Sequence, residues 1–137
     1  MKSIGFFACS NGLGHYKRIS EIASLLSNDF DITIYATWFQ MYNLGGVKNC
    51  RHVQQHTNNI RWDQTLSESK IDYKSYRGCL EDHKKDLRRH DYIISDNIIG
   101  ILDYRPDAII IGSFLWKDVF YNKFGDNRIS DIDRTLL

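Results

Sequence analysis

Residues 4–18 read IGFFACSNGLGHYKR, an apolar run followed by a glycine-rich turn and a histidine. The run from Ile4 to Cys9 has the nearly continuous apolar character of a strand buried on both faces of a parallel sheet. From His15 onward the apolar positions fall at Ile19, Ile22, Ala23 and Leu26. This i, i+3, i+4, i+7 spacing predicts a helix of about three turns. A strand, a tight turn and a helix in succession predict the first unit of an α/β domain.

The rest of the chain repeats this alternation. We predict further strands over Asp31 to Ala36, His52 to His56, Tyr92 to Ser95 and Ala108 to Ile111. We predict further helices over Trp38 to Leu44 and along a face formed by Tyr76, Leu80, His83 and Leu87. Residues 57–74 show no clear periodicity and receive no assignment. The pattern predicts an α/β fold with a doubly wound parallel sheet, in a single domain over residues 1–137.

Composition limits the classes of function. The chain has 42% hydrophobic and 26% charged residues, near the averages of folded proteins, and a net charge of +1 that favours no nucleic acid partner. Three separated cysteines, Cys9, Cys50 and Cys79, form no CxxC motif and favour a cytoplasmic location. No stretch approaches the roughly 18 apolar residues of a membrane span, which leaves only peripheral membrane association open.

Ligands of doubly wound sheets bind beyond the carboxyl ends of the strands, so the residues at these ends are the candidates for a site. If the first strand lies beside the strand that ends at Asp96, the carboxylate comes close to the Gly12 to Gly14 turn. His15 opens a helix, where the positive end of the dipole favours a neutral imidazole that can act as a general base. Arg18 is one turn further and is expected to reach an anion held by the turn. The alternative is that His15 only forms a hydrogen bond near a turn.

Other kinds of site fit less well. Lys17 stands where the third glycine of GxGxxG is needed, and no Walker A or G-x-S-x-G motif is present, so NAD, P-loop and serine-hydrolase sites are disfavoured. Cys50, His52 and His56 are poorly spaced for a shared metal ion. We therefore expect no metal and no cofactor. Tryptophans such as Trp38 are more often core or rim residues than sugar platforms.

Three motifs resemble the GT-B glycosyltransferase-like superfamily, which includes MurG-type transferases and the UDP-sugar hydrolase of pseudaminic acid synthesis. The run from Ser10 to Arg18 is similar to the GxGHxxR turn of that superfamily, and the run from Ile93 to Asn97 is similar to its strand ending in Ser-Asp. The run from Ser113 to Tyr121 is similar to an Asn-Phe-x-Trp-Asp-x-x-Tyr stretch in some relatives. Which relative is closest stays open.

The resemblance implies the Rossmann-like, N-terminal, acceptor-side half of a nucleotide-sugar-dependent glycosyltransferase. It implies a nucleotide-sugar donor, a sugar acceptor and a C-terminal half, absent from these residues, that is supplied in cis or in trans. His15 and Asp96 are the expected catalytic residues. The expected substrate-binding residues are Asn11, Gly12, Gly14, Arg18, Asn97, Ser113 and Trp116. Two other functions stay open: a nucleotide-sugar hydrolase in which His15 activates water, and a non-catalytic subunit of a split transferase.

Overall fold

The computed structural model describes residues 1–10, 12–55, 80 and 83–112. Its strands in this part of the chain are β1 (Ser3–Ala8), β2 (Asp31–Ala36), β3 (Arg51–Gln54), β4 (Tyr92–Asp96) and β5 (Ile109–Ile111). Its helices are α1 (Gly14–Leu26), α2 (Trp38–Leu44) and α3 (Lys84–Arg89), with a 3-10 helix over Ile99–Asp103.

The strands form one parallel sheet in the order β3-β2-β1-β4-β5. From β1 the chain moves outward through β2 and β3, and β4 then returns to the opposite side of β1. The strand order therefore reverses between β1 and β4, the place where sheets of this kind bind ligands. The predicted α/β, Rossmann-like fold is confirmed.

One face of the sheet packs against α1. Tyr16, Ile19 and Ala23 of the helix are fully buried against alternate residues of the two central strands. These strand residues are Ile4, Phe6 and Ala8 of β1 and Ile32, Ile34 and Ala36 of β2. Burying an Ile or Phe side chain stabilises the fold by roughly 1.5–3 kcal/mol, so this face holds α1 firmly against β1.

The opposite face carries a cluster of rings. Phe7 and Tyr35 stack with their ring centroids 4.2 Å apart, and the Tyr35 hydroxyl lies 2.7 Å from Nε2 of the buried His90. Gly5 makes room for that imidazole, because a Cβ there would lie 2.6 Å from Cδ2 of His90. Burial lowers the pKa of His90 and raises the pKa of Tyr35 to about 12.

Four predicted strands and the two helices before β3 agree with the structure to within two residues of their described bounds. The helix predicted along Tyr76, Leu80, His83 and Leu87 is observed from Lys84 to Arg89, with His83 in a turn as its N-cap residue. The second strand and the Trp38–Leu44 helix have the predicted bounds. The third strand begins at Arg51 rather than His52 and ends at Gln54, because its exposed and half-buried residues give no apolar alternation to mark its limits. Tyr76 and residues 57–74 lie outside the described residues.

Candidate functional site

The glycine-rich turn joins β1 to α1 at the carboxyl edge of the sheet. Gly12 has φ of 85°, a left-handed conformation that glycine adopts without steric cost, and its N–H donates to the Ser10 carbonyl over 3.0 Å. Among the described residues, a Cβ placed on Gly12 or Gly14 would meet no atom within 4 Å. The turn therefore needs Gly12 for its backbone shape and not to avoid a clash with these residues.

The helix after the turn starts without a side-chain cap from its N-cap residue. Leu13 is the N-cap residue of α1 and makes no side-chain hydrogen bond to the helix, and the first turn contains no acidic residue. The first N–H groups of a helix have no partner within the helix, and they lie at the positive end of its dipole. This helix start is chemically suited to a phosphate or another anion.

Sheet pairing brings Asp96 to the same place. β1 and β4 are aligned so that Ala8 pairs with Asp96, and the Cys9 N–H donates to the Asp96 carbonyl over 3.1 Å. Nδ1 of His15 lies 2.7 Å from Oδ1 of Asp96. Arg18 donates from Nε to Oδ2 over 2.6 Å and from Nη2 to Oδ1 over 2.8 Å. The predicted proximity of Asp96 to the glycine-rich turn is thus observed.

The Asp96 carboxylate has no solvent-exposed surface, and its two partners determine its charge. Burial by itself raises the pKa of Asp96, but the hydrogen bonds from Arg18 and His15 outweigh that effect and the net shift is downward. The same contact raises the pKa of Arg18. Asp96 is therefore ionised at neutral pH, and its pairing with Arg18 is an ion pair.

The contact with Asp96 assigns different roles to the two ring nitrogens of His15. An ionised carboxylate only accepts hydrogen bonds, so Nδ1 carries a hydrogen and donates a hydrogen bond to Oδ1. In a neutral imidazole, Nε2 is then the nitrogen that accepts a proton. His15 and Asp96 have the arrangement of a general base with an orienting carboxylate.

A buried glutamine that no sequence motif marks as part of the site holds the turn from the side of α2. Gln40 donates from Nε2 to the carbonyls of Cys9, over 2.8 Å, and Gly12, over 2.9 Å. Its Oε1 accepts from the backbone N–H of Thr37, and the Thr37 hydroxyl accepts from the Gln40 N–H, completing a capping box. Thr37-x-x-Gln40 is readable in the sequence as a helix start, but the contact with a turn 28 residues earlier is not.

A second buried glutamine ties the strand ends together. Gln55 donates from Nε2 to the carbonyls of Ala8 and Tyr35, over 2.8 and 3.0 Å. These carbonyls lie at the ends of β1 and β2, so Gln55 fixes the spacing of the edge from which the turn and Asp96 project.

The other predicted site residues have different placements. Asn97 follows Asp96 but is buried, has φ of 65°, and donates its backbone N–H to the Ile111 carbonyl over 2.8 Å. A Cβ on Gly112 would lie 2.5 Å from Oδ1 of Asn97, so the glycine permits this close approach. Arg18 has its guanidinium on Asp96, and its expected contact with a bound anion stays a prediction. Asn11, Ser113 and Trp116 lie outside the described residues.

Aromatic side chains are exposed where β2 ends. Trp38 is 58% exposed and Tyr42 is 71% exposed, and their rings stack with centroids 4.7 Å apart. Trp38 is therefore a surface residue at the carboxyl edge of the sheet and does not belong to the hydrophobic core.

Two solved structures share this fold with the chain. Phytolacca americana UGT2, solved with UDP-2fluoro-glucose and pterostilbene, matches with a TM-score of 0.56 and 15% sequence identity over 88% of this chain. CalG4, the calicheamicin glycosyltransferase, matches with a TM-score of 0.52 and 14% identity over 98% of this chain. Both are GT-B-type glycosyltransferases. The matches cover 32% and 40% of the two neighbours, so this chain spans well under half of their length.

Other comparisons add no relatives to these neighbours. No model of a protein family matches the chain, and a search of curated proteins gives no match. Within the described residues, no helix is long and apolar enough to cross a membrane. In the same part of the chain, no group of three or more His, Cys, Asp or Glu side chains is arranged to hold a metal ion.

Proposed function

We propose that the chain is the N-terminal, acceptor-side domain of a nucleotide-sugar-dependent glycosyltransferase, with His15 as its general base. The observation that carries the proposal is the 2.7 Å contact between Nδ1 of His15 and Oδ1 of Asp96, at the switch point of the sheet. Similarity of the fold to glycosyltransferases supports the choice of reaction.

In the proposed reaction, His15 removes a proton from a hydroxyl of the acceptor. The proton moves to Nε2 as the hydroxyl oxygen forms a bond to the anomeric carbon of the donor sugar. The bond from that carbon to the nucleoside diphosphate breaks, and the diphosphate leaves with the electron pair. Asp96 stays ionised and stabilises the imidazolium through the Nδ1 hydrogen bond, as the carboxylate of a catalytic triad does.

The negative charge on the leaving diphosphate requires stabilisation. The start of α1 supplies suitable donors, since Leu13 provides no side-chain cap and, among the described residues, no atom lies within 4 Å of a Cβ on Gly12 or Gly14. We extend to this chain a nucleotide-sugar donor, since UGT2 was solved with UDP-2fluoro-glucose. The roles of Asn11, Asn97, Ser113 and Trp116 in binding substrate remain predictions.

The donor is proposed to be held mainly by a second α/β half, in the same polypeptide or in a separate one. The exposed rings of Trp38 and Tyr42 at the same edge offer flat apolar surfaces to a sugar acceptor. Both halves are needed, because catalysis requires the reacting groups to be fixed and water to be excluded.

The test is release of nucleoside diphosphate from a panel of UDP-, dTDP- and GDP-sugars by the assembled two-half protein. We expect release that depends on a pool of hydroxyl-bearing acceptors and a glycosylated product that mass spectrometry identifies. Release that is equally fast without an acceptor would assign the protein as a nucleotide-sugar hydrolase. No release under either condition would favour a binding subunit and contradict the catalytic proposal.

A further inference from the structure

Asp96 shares one buried negative charge between two side chains of α1. Oδ1 accepts hydrogen bonds from His15 Nδ1 and Arg18 Nη2, and Oδ2 accepts a hydrogen bond from Arg18 Nε. The Asp96 side chain is 0% exposed, whereas those of His15 and Arg18 are 15% and 38% exposed. Arg18 is thus the partner that engages both oxygens of the carboxylate.

A buried carboxylate is stable only with a compensating positive charge. Arg18 supplies that charge at every relevant pH, because a guanidinium does not lose its proton in proteins. With Arg18 in place the pair is neutral, and a proton on His15 would place a second positive charge beside one carboxylate, at the positive end of α1. Gln40, the α2 side chain that bonds to the turn, is uncharged. Within the described residues, the charged groups around His15 are therefore Asp96, which contacts it, and Arg18, which pairs with Asp96.

Without Arg18 the balance reverses. Within the part of the chain that the structure describes, Asp96 would then have His15 as its remaining ionisable partner, and a protonated imidazole would be the charge that stabilises the carboxylate. A protonated His15 has no nitrogen able to accept a proton, so it could not serve as a base.

We propose that Arg18 is a positioning residue that keeps His15 neutral by balancing the charge of Asp96, rather than a ligand of the substrate phosphate. The catalytic meaning of this inference rests on the proposed function, because a neutral His15 matters only if His15 acts as a base. The protonation state of His15 is measurable without any substrate.

The experiment is a long-range 1H–15N correlation spectrum of the histidine rings in the full 137-residue chain at pH 7. The His15 signals are assigned by their loss in His15→Ala. We expect the parent to show a protonated Nδ1 and a bare Nε2, and Arg18→Met to lose the bare-nitrogen signal because both nitrogens are protonated. Arg18→Lys keeps the charge and should retain the bare nitrogen, and Arg18→Met with Asp96→Asn should restore it.

A bare Nε2 at His15 in folded Arg18→Met would overturn the inference. If Arg18→Met fails to fold, Arg18→Gln takes its place with the same expected spectrum. Failure of both to fold would show that His15 does not take over the charge, which also overturns the inference, whether or not the double variant folds. Because no sugar nucleotide is used, these outcomes are independent of whether the protein proves to be a transferase.

Discussion

Asp96 makes the stability of the fold sensitive to acid. Its pKa is lowered in the folded chain because hydrogen bonds from Arg18 and His15 outweigh the opposing effect of burial. As the pH falls below about 4, the ordinary pKa of an aspartate, the unfolded chain therefore binds more protons at this residue than the folded chain does. The contribution of Asp96 to stability is complete above that pH and is lost as the pH falls through the lower pKa of the folded state.

We expect the free energy of unfolding, measured with urea from pH 3 to 7, to fall below about pH 4 in the parent. Asp96→Asn should lose this part of the slope, and also be less stable at pH 7, since hydrogen bonds to charged groups contribute about 1.5–3 kcal/mol each. Asp107→Asn is the matched control. The hydrogen bond from Arg105 also lowers the pKa of Asp107, but the Asp107 side chain is 64% exposed and solvent screens the pair. Asp107→Asn should therefore change the acid slope of stability little. An unchanged acid slope in Asp96→Asn would contradict this interpretation of the buried pair.

Part of the candidate site follows from the sequence. Parallel strands place their carboxyl ends at one edge, so Asp96 and the turn before His15 could be expected to meet. The partner of Arg18 could not be predicted, because the sequence shows where a carboxylate stands and not how a side chain 78 residues away turns toward it. Gln40 was missed for the same reason, since its carbonyl partners belong to another element.

The turn and α1 depend on one glycine more than on the other. Gly12 has a left-handed backbone, whereas Gly14 begins the helix, and neither position would bring a Cβ into contact with another atom. We expect Gly12→Ala to lower the free energy of unfolding by about 1–2 kcal/mol, the cost of a left-handed conformation for a residue with a Cβ. Gly14→Ala is the control and should be neutral or slightly stabilising, because alanine favours helices. If urea denaturation gives the same change in the free energy of unfolding for both substitutions, the left-handed backbone of Gly12 is not the reason for the cost, which would contradict the prediction.

The buried elements were predictable and the short irregular one was not. In β1 and β2 all but the first residue are buried. Strands buried in this way need mostly apolar or β-favouring residues, and a pattern of that kind can be recognised in the sequence. The 3-10 helix Ile99–Asp103 was not predicted. It follows a turn in which Asn97 is left-handed and the Ser95 hydroxyl accepts from the Ile98 N–H, local contacts that do not alter the hydrophobic pattern.

For the molecule as a whole, we propose that the fold supplies one side of a crevice. The sheet has its switch point between β1 and β4, and the chain spans 32% of UGT2 and 40% of CalG4, which share this fold. We expect the 137-residue chain alone to release no nucleoside diphosphate from any nucleotide sugar, because one side of a crevice neither fixes the donor nor excludes water. A coupled assay for the released diphosphate checks this, and measurable glycosyl transfer by the purified chain would contradict it.

The role of His15 is measured by comparing turnover and stability in the two-half protein that releases the diphosphate. His15→Ala should lower kcat by roughly 100- to 10,000-fold, the usual contribution of a general base. The variant should still fold, with a Tm lowered by only several degrees through the loss of one hydrogen bond to Asp96. His52→Ala is the control: it removes a half-buried histidine on β3, bonded to the Val47 N–H, and should leave kcat unchanged. A kcat of His15→Ala equal to that of the parent, or a variant that does not fold, would contradict the assignment of His15 as the base.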